Sequence, residues 1–370
     1  MPITAPPSAT TLLAVDLEAV VANWRALQSR LERAECSAVV KADAYGLGAT
    51  RIAPALAAAG CHTFFVATLD EGIALRPLLP GVTIIVLSGA LPGAEDTFAA
   101  HAIVPVLNSL SDITCWQDFA RKTSTARDAW IHIDTGMNRL GLTSSDARTL
   151  AAEPGRLTGL NVLGWMSHLS SADQRFHPAS SAQLGRFQQH LARLPKARRS
   201  LANSSGLCRG RAFQLDLVRP GAALYGINPT PEVENPQRPV FTFTARVLQV
   251  RQVDPGMTVG YGVTHQVTRS GRIATIAAGY ADGFFRALGN RSRVFIGGQP
   301  APVVGQVSMD LITVDVTALP ESTVWPGCWA EVIGPHRTVD QAATEAGTIG
   351  YEILTALSKR CHRVWLPEAK

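Results

Sequence analysis

The chain is poor in the features that mark a disulfide scaffold, a membrane span or a dinucleotide domain. Its six cysteines (Cys36, Cys61, Cys115, Cys208, Cys328, Cys361) are scattered among 370 residues with no C-x-x-C pair. That excludes the common zinc-ribbon spacings and fits reduced thiols rather than a disulfide framework. No apolar run is long enough to cross a bilayer. The opening residues MPITAPPSATTLLAVDL lack a basic region followed by a long apolar core and a cleavage site, so no secretory signal is read and a cytoplasmic location is expected. No G-x-G-x-x-G opens a helix after the first strand, which leaves a dinucleotide domain without support. Aromatic residues are 6% of the chain, and the basic residues behind its net charge of +5 are not interleaved with them. Groups such as Lys196-Ala197-Arg198-Arg199 therefore read as solvated faces, with no nucleic-acid partner and no membrane partner expected. A mild positive field favours small anionic substrates.

What is present is a long chain of ordinary globular composition, 46% hydrophobic and 17% charged, with material for two domains. Between Asp16 and Ala34, apolar residues fall at Leu17, Val20, Val21, Trp24, Leu27 and Leu31, a helical spacing with Asp16 as N-cap. Short apolar strands then alternate with helical patterns. Strands are expected near Ala38–Lys41, Thr63–Ala67, Thr83–Leu87, Ile103–Leu107, Trp130–Ile133, Asn161–Met166, Arg199–Ala202 and Leu215–Arg219. Helices are expected near Ala49–Ala59, Asp70–Leu79, Leu110–Arg121 and Ala179–Leu194, with Gly60 as a C-cap. About eight strand–helix repeats favour an α/β fold closed as a (β/α)8 TIM-like barrel, an open doubly wound sheet being the alternative. Pro229, Pro231, Pro236 and Pro239 mark a linker. Beyond it the pattern is mainly β, with strands near Phe241–Val253, Arg272–Ala278, Ser292–Ile296 and Leu311–Val316, and helices near Val339–Ala346 and Ile349–Lys359. The expected domains are a barrel over residues 12–235 and a mainly β domain over 236–370, with residues 1–11 a candidate addition to the latter.

In a parallel barrel, functional groups gather at the C-terminal ends of the strands. Lys41 ends the first strand, followed by Tyr45, Gly46 and Gly48. Asp134-Thr135-Gly136-Met137-Asn138-Arg139 follows the fifth, His168 the sixth, Asn203-Ser204-Ser205-Gly206 the seventh and Arg219-Pro220-Gly221 the eighth. Singly, each has a plain structural reading: a lysine packing its stem, a hydrogen-bonded histidine, a paired arginine. At successive strand ends they read together as one mouth. A buried amine is costly unless neutralised, paired or used covalently. Ser204, Gly221 and the neighbouring amides suit a phosphate. A phosphate site with a strand-end lysine suggests pyridoxal phosphate, which uses a lysine Schiff base and a partner for its pyridine nitrogen.

These motifs resemble those of the bacterial alanine racemases, in the pyridoxal-phosphate barrel (fold type III) class. The resemblance rests on Val40-Lys41-Ala42-Asp43-Ala44-Tyr45-Gly46, Asp134-Thr135-Gly136-Met137-Asn138-Arg139-Leu140-Gly141, Asn203-Ser204, Arg219-Pro220-Gly221 and Leu224-Tyr225-Gly226. It continues with Val259-Gly260-Tyr261-Gly262, Ala278-Gly279-Tyr280-Ala281-Asp282-Gly283, Val304-Gly305-Gln306-Val307-Ser308-Met309-Asp310 and Gly350-Tyr351-Glu352. It implies that Lys41 anchors pyridoxal 5'-phosphate and serves as one base, and that Tyr261 of a partner subunit is the opposite base in a homodimer with a shared active site. His168 and Arg219 match the positions beside that tyrosine, and their positive field would lower its pKa. Arg219 would contact the pyridine nitrogen. Tyr45, Ser204, Gly221 and Tyr351 match phosphate-binding positions, with Asn203 orienting that loop. Arg139 and the Met309 backbone match the substrate-carboxylate site; Tyr280 and Asp310 match residues lining the entry.

Two positions depart from the family pattern. His132 stands where a lysine, often carbamylated, is common, and Leu47 where a histidine is common. A carbamate carries negative charge that His132 does not supply, so a bound anion, a nearby side chain or packing must orient Arg139. The implied activity is interconversion of L- and D-alanine for peptidoglycan precursors. A racemase acting on serine or on a wider range of amino acids is the alternative within the same chemistry. A non-catalytic cofactor carrier would lack the β domain, and a decarboxylase would lack the Gly-Tyr-Gly and Ser-Met-Asp motifs.

Overall fold

The structure is a computed structural model that describes residues 5–367. The chain divides into two units, one of residues 20–224 and 228–237, the other of residues 5–19, 225–227 and 238–367.

In the first unit, nine parallel segments follow one another in a single sheet, beginning with Glu35–Cys36 and Ala38–Val39. These two are one strand interrupted at Ser37. Its first half pairs with Leu217–Arg219 and its second half with Thr63–Val66. Ser37 N–H donates to the Val218 carbonyl (3.1 Å) and Val39 N–H to the Pro220 carbonyl (2.9 Å), so the last strand closes on the first. The result is an eight-stranded parallel barrel with strands Thr63–Val66, Thr83–Val86, Val104–Leu107, Arg127–His132, Leu160–Met166, Arg198–Asn203 and Leu217–Arg219 in order around it. The expected strands are all present, and the open-sheet alternative is excluded. The strand cores are nearly continuous runs of buried residues, as expected where a sheet is covered on both faces. Gly164 sits beside Trp130 in the register, where a Cβ would lie 2.4 Å from the indole. Glycine there makes room for a large ring, which meets Phe65 edge-on at 6.4 Å.

Local chemistry explains where the helices begin. The Asp16 carboxylate accepts from Ala19 N–H (2.8 Å) and starts the helix Leu17–Gln28, which stops earlier than its apolar spacing suggested. Thr68 and Glu71 form a reciprocal capping box at the helix Leu69–Leu75. Ser109 caps Leu110–Thr123, and Thr143 with Asp146 caps Ser144–Ala152. Ala59, not Gly60, caps Ala49–Ala58; Gly60 follows at φ 106° and turns the chain.

The second unit is mainly β, organised on the strand Phe241–Val253. Its first half lies between Thr11–Asp16 and Trp329–Ile333, and its second half pairs with Gly271–Ile276. Register shifts at 243/244 and 247/249 let one strand serve both pairings. Thr11–Asp16 also pairs in parallel with His362–Leu366, so residues 11–16 are a strand of this unit. Val253, Val259, Val267, Ile273 and Val304 form a compact core under the second half. The helices Val339–Ala346 and Gly350–Thr355 complete the unit.

Candidate active site

Lys41 leaves the first barrel strand and enters an unusual turn. Ala42, Asp43, Ala44 and Tyr45 have φ of 51°, 55°, 52° and 56°, a left-handed turn built from four residues other than glycine. Such a turn costs roughly 1–2 kcal/mol per residue, so other contacts must hold it. Glu71 is the main clamp: its carboxylate accepts from Ala42 N–H (2.7 Å) and Ala67 N–H (2.7 Å). Asp43 accepts from Ala49 N–H (2.8 Å), tying the turn to the following helix. Burial, then the positive charge of Arg139, holds the Lys41 amine below its ordinary pKa, against a smaller opposing pull from Glu71. The amine is thereby biased toward the neutral, nucleophilic form.

The loops after the last two strands form an anion cradle. The Ser204 hydroxyl oxygen accepts from Gly221 N–H (3.0 Å) and Ala223 N–H (3.2 Å), and Asn203 caps the turn by accepting from Gly206 N–H (2.9 Å). Both acceptor positions of the Ser204 oxygen are used, so its own proton is the one to donate. A Cβ on Gly221 would lie 2.5 Å from the Tyr45 hydroxyl oxygen, so glycine is what admits that phenol to the cradle. A hydroxyl whose proton is left to donate, meeting a phenol at late strand ends, fits a phosphate group, the Gly221 and Ala223 amides serving to orient that hydroxyl.

Below the cradle, Arg219 is 4% exposed. It donates to the Ser200 hydroxyl oxygen and to the Ser167 carbonyl (2.6 Å), and it lies 3.4 Å from His168 Nδ1. Ser200 spends its own proton on the Leu217 carbonyl (2.7 Å), which turns its lone pairs toward the guanidinium. Burial lowers the Arg219 pKa to about 9, which leaves it charged at neutral pH. Burial and the Arg219 charge push His168 down to about 3. His168 is therefore neutral, and the expectation that it adds positive charge is corrected: the charge here is Arg219's. Because a guanidinium only donates, His168 Nδ1 accepts and the ring proton sits on Nε2.

His132 is buried and is likewise pushed down, to about 4, by burial and then by Arg219. Its Nδ1 lies 3.0 Å from Asn108 Oδ1. The Asn108 amide nitrogen is committed to the carbonyls of Val106 (3.0 Å) and Leu87 (3.4 Å), which fixes the oxygen as the atom facing His132. His132 Nδ1 thus carries the proton and Nε2 is a bare acceptor.

Arg139 is exposed on a loop folded by Asp134, whose carboxylate accepts from the N–H groups of Gly136, Met137 and Asn138, each at 2.8 Å. Gln183 ties this loop to the next: its amide nitrogen donates to Thr135 Oγ1 (3.4 Å) and to the His168 carbonyl (2.9 Å). Glu71, Asp134, Asn108 and Gln183 were not singled out from the sequence as functional. The Thr68-x-x-Glu71 spacing was a readable capping signal, and Asp134 stood inside a quoted motif. Asn108 and Gln183 carry no local signal, because their partners come from distant strands.

The barrel unit thus brings together Lys41, Tyr45, His132, Arg139, His168, Asn203, Ser204, Arg219 and Gly221. The remaining candidates belong to the β unit. Tyr261 is 71% exposed at a turn between Gly260 and Gly262, and Met309 is 54% exposed. Ala281 N–H donates to the Met309 carbonyl (3.0 Å) and Tyr280 N–H to that of Ser308 (3.1 Å), which joins the two loops. Arg360 binds Asp282 through two nitrogens (2.6 and 2.8 Å) and Asp310 through a third (2.8 Å). Tyr351 is partly exposed in the helix Gly350–Thr355. Among the described residues, no group of histidine, cysteine and carboxylate side chains could hold a metal ion, and no helix is long and apolar enough to cross a membrane.

A barrel with a strand-end lysine of lowered pKa, a phosphate cradle and a buried arginine, followed by a β unit, defines the class of pyridoxal-phosphate barrel enzymes. Residues 15–229 match the family model for the alanine racemase N-terminal domain and residues 240–365 that for the C-terminal domain. The chain is 51% identical to the alanine racemase of Acidiphilium cryptum, over 95% of this chain and 98% of that one. It is 46% identical to that of Rhodospirillum rubrum, over 96% of each. Among solved structures, the alanine racemase from Bartonella henselae with covalently bound pyridoxal phosphate aligns with a TM-score of 0.94 at 42% identity, covering 97% of this chain and 100% of that chain. The biosynthetic alanine racemase from Pseudomonas aeruginosa aligns with a TM-score of 0.90 at 32% identity, covering 96% of this chain and 99% of that one. The chain belongs to the alanine racemase family.

Proposed function

We propose that the protein interconverts L- and D-alanine by a two-base mechanism, supplies D-alanine for peptidoglycan, and works in the cytoplasm as a homodimer with active sites shared between subunits. The observation that carries the reading is the Lys41 amine, pulled below its ordinary pKa at the end of a barrel strand whose neighbours form a phosphate cradle. Tyr45, Ser204, Gly221 and Tyr351 would hold the phosphate of pyridoxal phosphate, Lys41 its aldehyde carbon and Arg219 its pyridine nitrogen. Asn203 keeps the Ser204 turn in shape. When bound, this cofactor makes the substrate Cα proton acidic by delocalising the negative charge.

The protein's own groups do the rest. Racemisation needs a proton removed from one face and one returned to the other, so it needs two bases. Lys41 Nζ serves one face and the Tyr261 hydroxyl of the partner subunit the other. Arg219 stays protonated, so it would hold the pyridine nitrogen by a hydrogen bond without giving up its proton. Arg139 and the Met309 N–H would bind the substrate carboxylate, with Tyr280 and Asp310 at the entry. His132 is neutral and brings no negative charge to Arg139. The Asp134-folded loop therefore supplies the position of Arg139, and the carboxylate of the substrate supplies the counter-charge.

The test is incubation of the holoenzyme with L-alanine in heavy water. Loss of the Cα proton together with D-alanine formation is expected. With Tyr261→Phe, D-alanine formation from L-alanine should fall by about 100-fold or more. Absence of exchange in the cofactor-loaded enzyme would sink the racemase reading. A Tyr261→Phe enzyme as fast as the parent would sink the assignment of the second base.

A further inference from the structure

A second cavity, of about 450 Å³, lies against the start of the helix Ala179–Leu191, and none of the candidate active-site residues lines it. Its wall includes Arg30, Arg175, Arg209, Ser180, Phe176 and Phe213. That volume is within the usual range for small-molecule sites.

The charges in this wall do not cancel. Arg209 is committed to the fold: it donates to the carbonyls of Ala172 (2.6 Å) and Asp173 (2.7 Å) and pairs with Glu232. Glu232 is the carboxylate of the wall, and Arg209 neutralises it. Arg30 and Arg175 are exposed and form no ion pair among the described residues, although Arg175 adds weakly to the positive charge that Arg209 places on Glu232. Arg30 reaches the Cys208 sulfur at 3.4 Å, and Arg175 lies 5.3 Å from the centre of the Phe176 ring. Two guanidinium groups therefore face one cavity whose single carboxylate is ion-paired to a third arginine, Arg209.

The helix adds donors of its own. Its first N–H, that of Ala179, donates to His177 Nδ1 (3.2 Å). The N–H groups of Ser180 and Ser181 belong to the first turn, where no carbonyl of the helix can receive them. Ser180 is 7% exposed, and its Oγ has no hydrogen-bond partner among the described residues. A buried hydroxyl left unpaired costs about 1–3 kcal/mol, which a ligand oxygen in the cavity would remove. The helix has 13 residues, long enough for its dipole to favour an anion at this end.

We propose that this cavity binds a small phosphate ester whose organic part is planar or apolar. Two guanidinium groups, a serine hydroxyl and first-turn amides offer more donors than the two oxygens of a carboxylate can take, and they match the three terminal oxygens of a phosphate. Phe176, Phe213 and Val233 supply the apolar part of the wall. The assignment does not depend on the racemase reading, because it uses none of those residues.

Phenyl phosphate is the probe, titrated into the holoenzyme by calorimetry, with phenol as the uncharged control. Saturable binding of phenyl phosphate in about the millimolar range or tighter is expected, and none of phenol. The double variant Arg30→Ala/Arg175→Ala should weaken it at least about tenfold and Ser180→Ala about threefold. Both arginines are exposed, so their removal leaves the packed interior untouched. Arg139→Ala should bind the probe as the parent does. No saturable binding would overturn the proposal. So would undiminished binding by the double variant, or binding lost in Arg139→Ala, since the probe would then sit elsewhere.

Discussion

Gly221 shows how one residue can decide whether a cofactor is held. Its backbone is not in the left-handed region, so glycine is required there by space and not by torsion. An added Cβ would lie 2.5 Å from the Tyr45 hydroxyl oxygen and 3.2 Å from Val39 Cβ, and both neighbours are buried. An alanine must therefore push the Tyr45 phenol out of the cradle or displace the loop. Overpacking of this kind costs roughly 1–3 kcal/mol, and here the strain falls on groups that hold the phosphate. Gly221→Ala is expected to weaken pyridoxal phosphate at least about tenfold and to lower the melting temperature of the cofactor-free protein by several degrees, as that strain requires. Equilibrium dialysis of the cofactor and a thermal scan check it, and unchanged affinity would remove Gly221 from the cradle. The sequence marked Gly221 for its amide. Its need for a missing side chain came to light only when Tyr45, from the other end of the barrel's sequence, was seen against it.

At the scale of elements, the turn after Lys41 was half legible. Tyr45, Gly46 and Gly48 announced a break after the strand, and a break is there. Its handedness was not readable, because alanine and aspartate have no strong preference for the left-handed region. The conformation is held by Glu71, on a neighbouring helix, and by the turn's own Asp43, which accepts from Ala49 N–H at the start of the next helix. Four left-handed residues together cost about 4–8 kcal/mol, so the turn persists only while its clamps hold. Glu71→Ala leaves the N–H groups of Ala42 and Ala67 without their acceptor. A loss of about 2–4 kcal/mol in unfolding free energy is expected, together with a lower kcat, since the strand-end lysine is aimed by this turn. Denaturant unfolding and steady-state kinetics measure the two effects. A variant as stable and as active as the parent would show that the turn does not depend on the clamp. The other barrel strands were legible because each is a local apolar run. Thr11–Asp16 was not read as a strand because its partners, Phe241–Ala245 and His362–Leu366, lie more than 200 residues away.

For the whole molecule, two site histidines, the buried His132 and the partly buried His168, link the site to global stability. The sequence identified His132 and His168 as site residues but not their protonation state, which depends on burial and on a guanidinium packed from another strand. Both are held neutral in the folded protein, at about 4 and about 3, whereas an unfolded chain titrates them near the ordinary value of 6.5. Between these values the unfolded state binds more protons, so stability rises with pH across the window and falls as the medium is acidified. The contribution is fully present above about pH 6.5 and is lost progressively down to the folded values. Depressions of about 2.5 and 3.5 pH units correspond to about 3–5 kcal/mol per group, a large part of the net stability of a typical domain. Urea unfolding at a series of pH values should therefore show stability dropping from pH 6.5 toward pH 4.5, above the range where most carboxylates titrate. In His132→Gln, whose amide can donate to Asn108 but does not titrate, the drop should be shallower by the share of one group. An identical slope in parent and variant would mean that His132 is not held neutral by the fold.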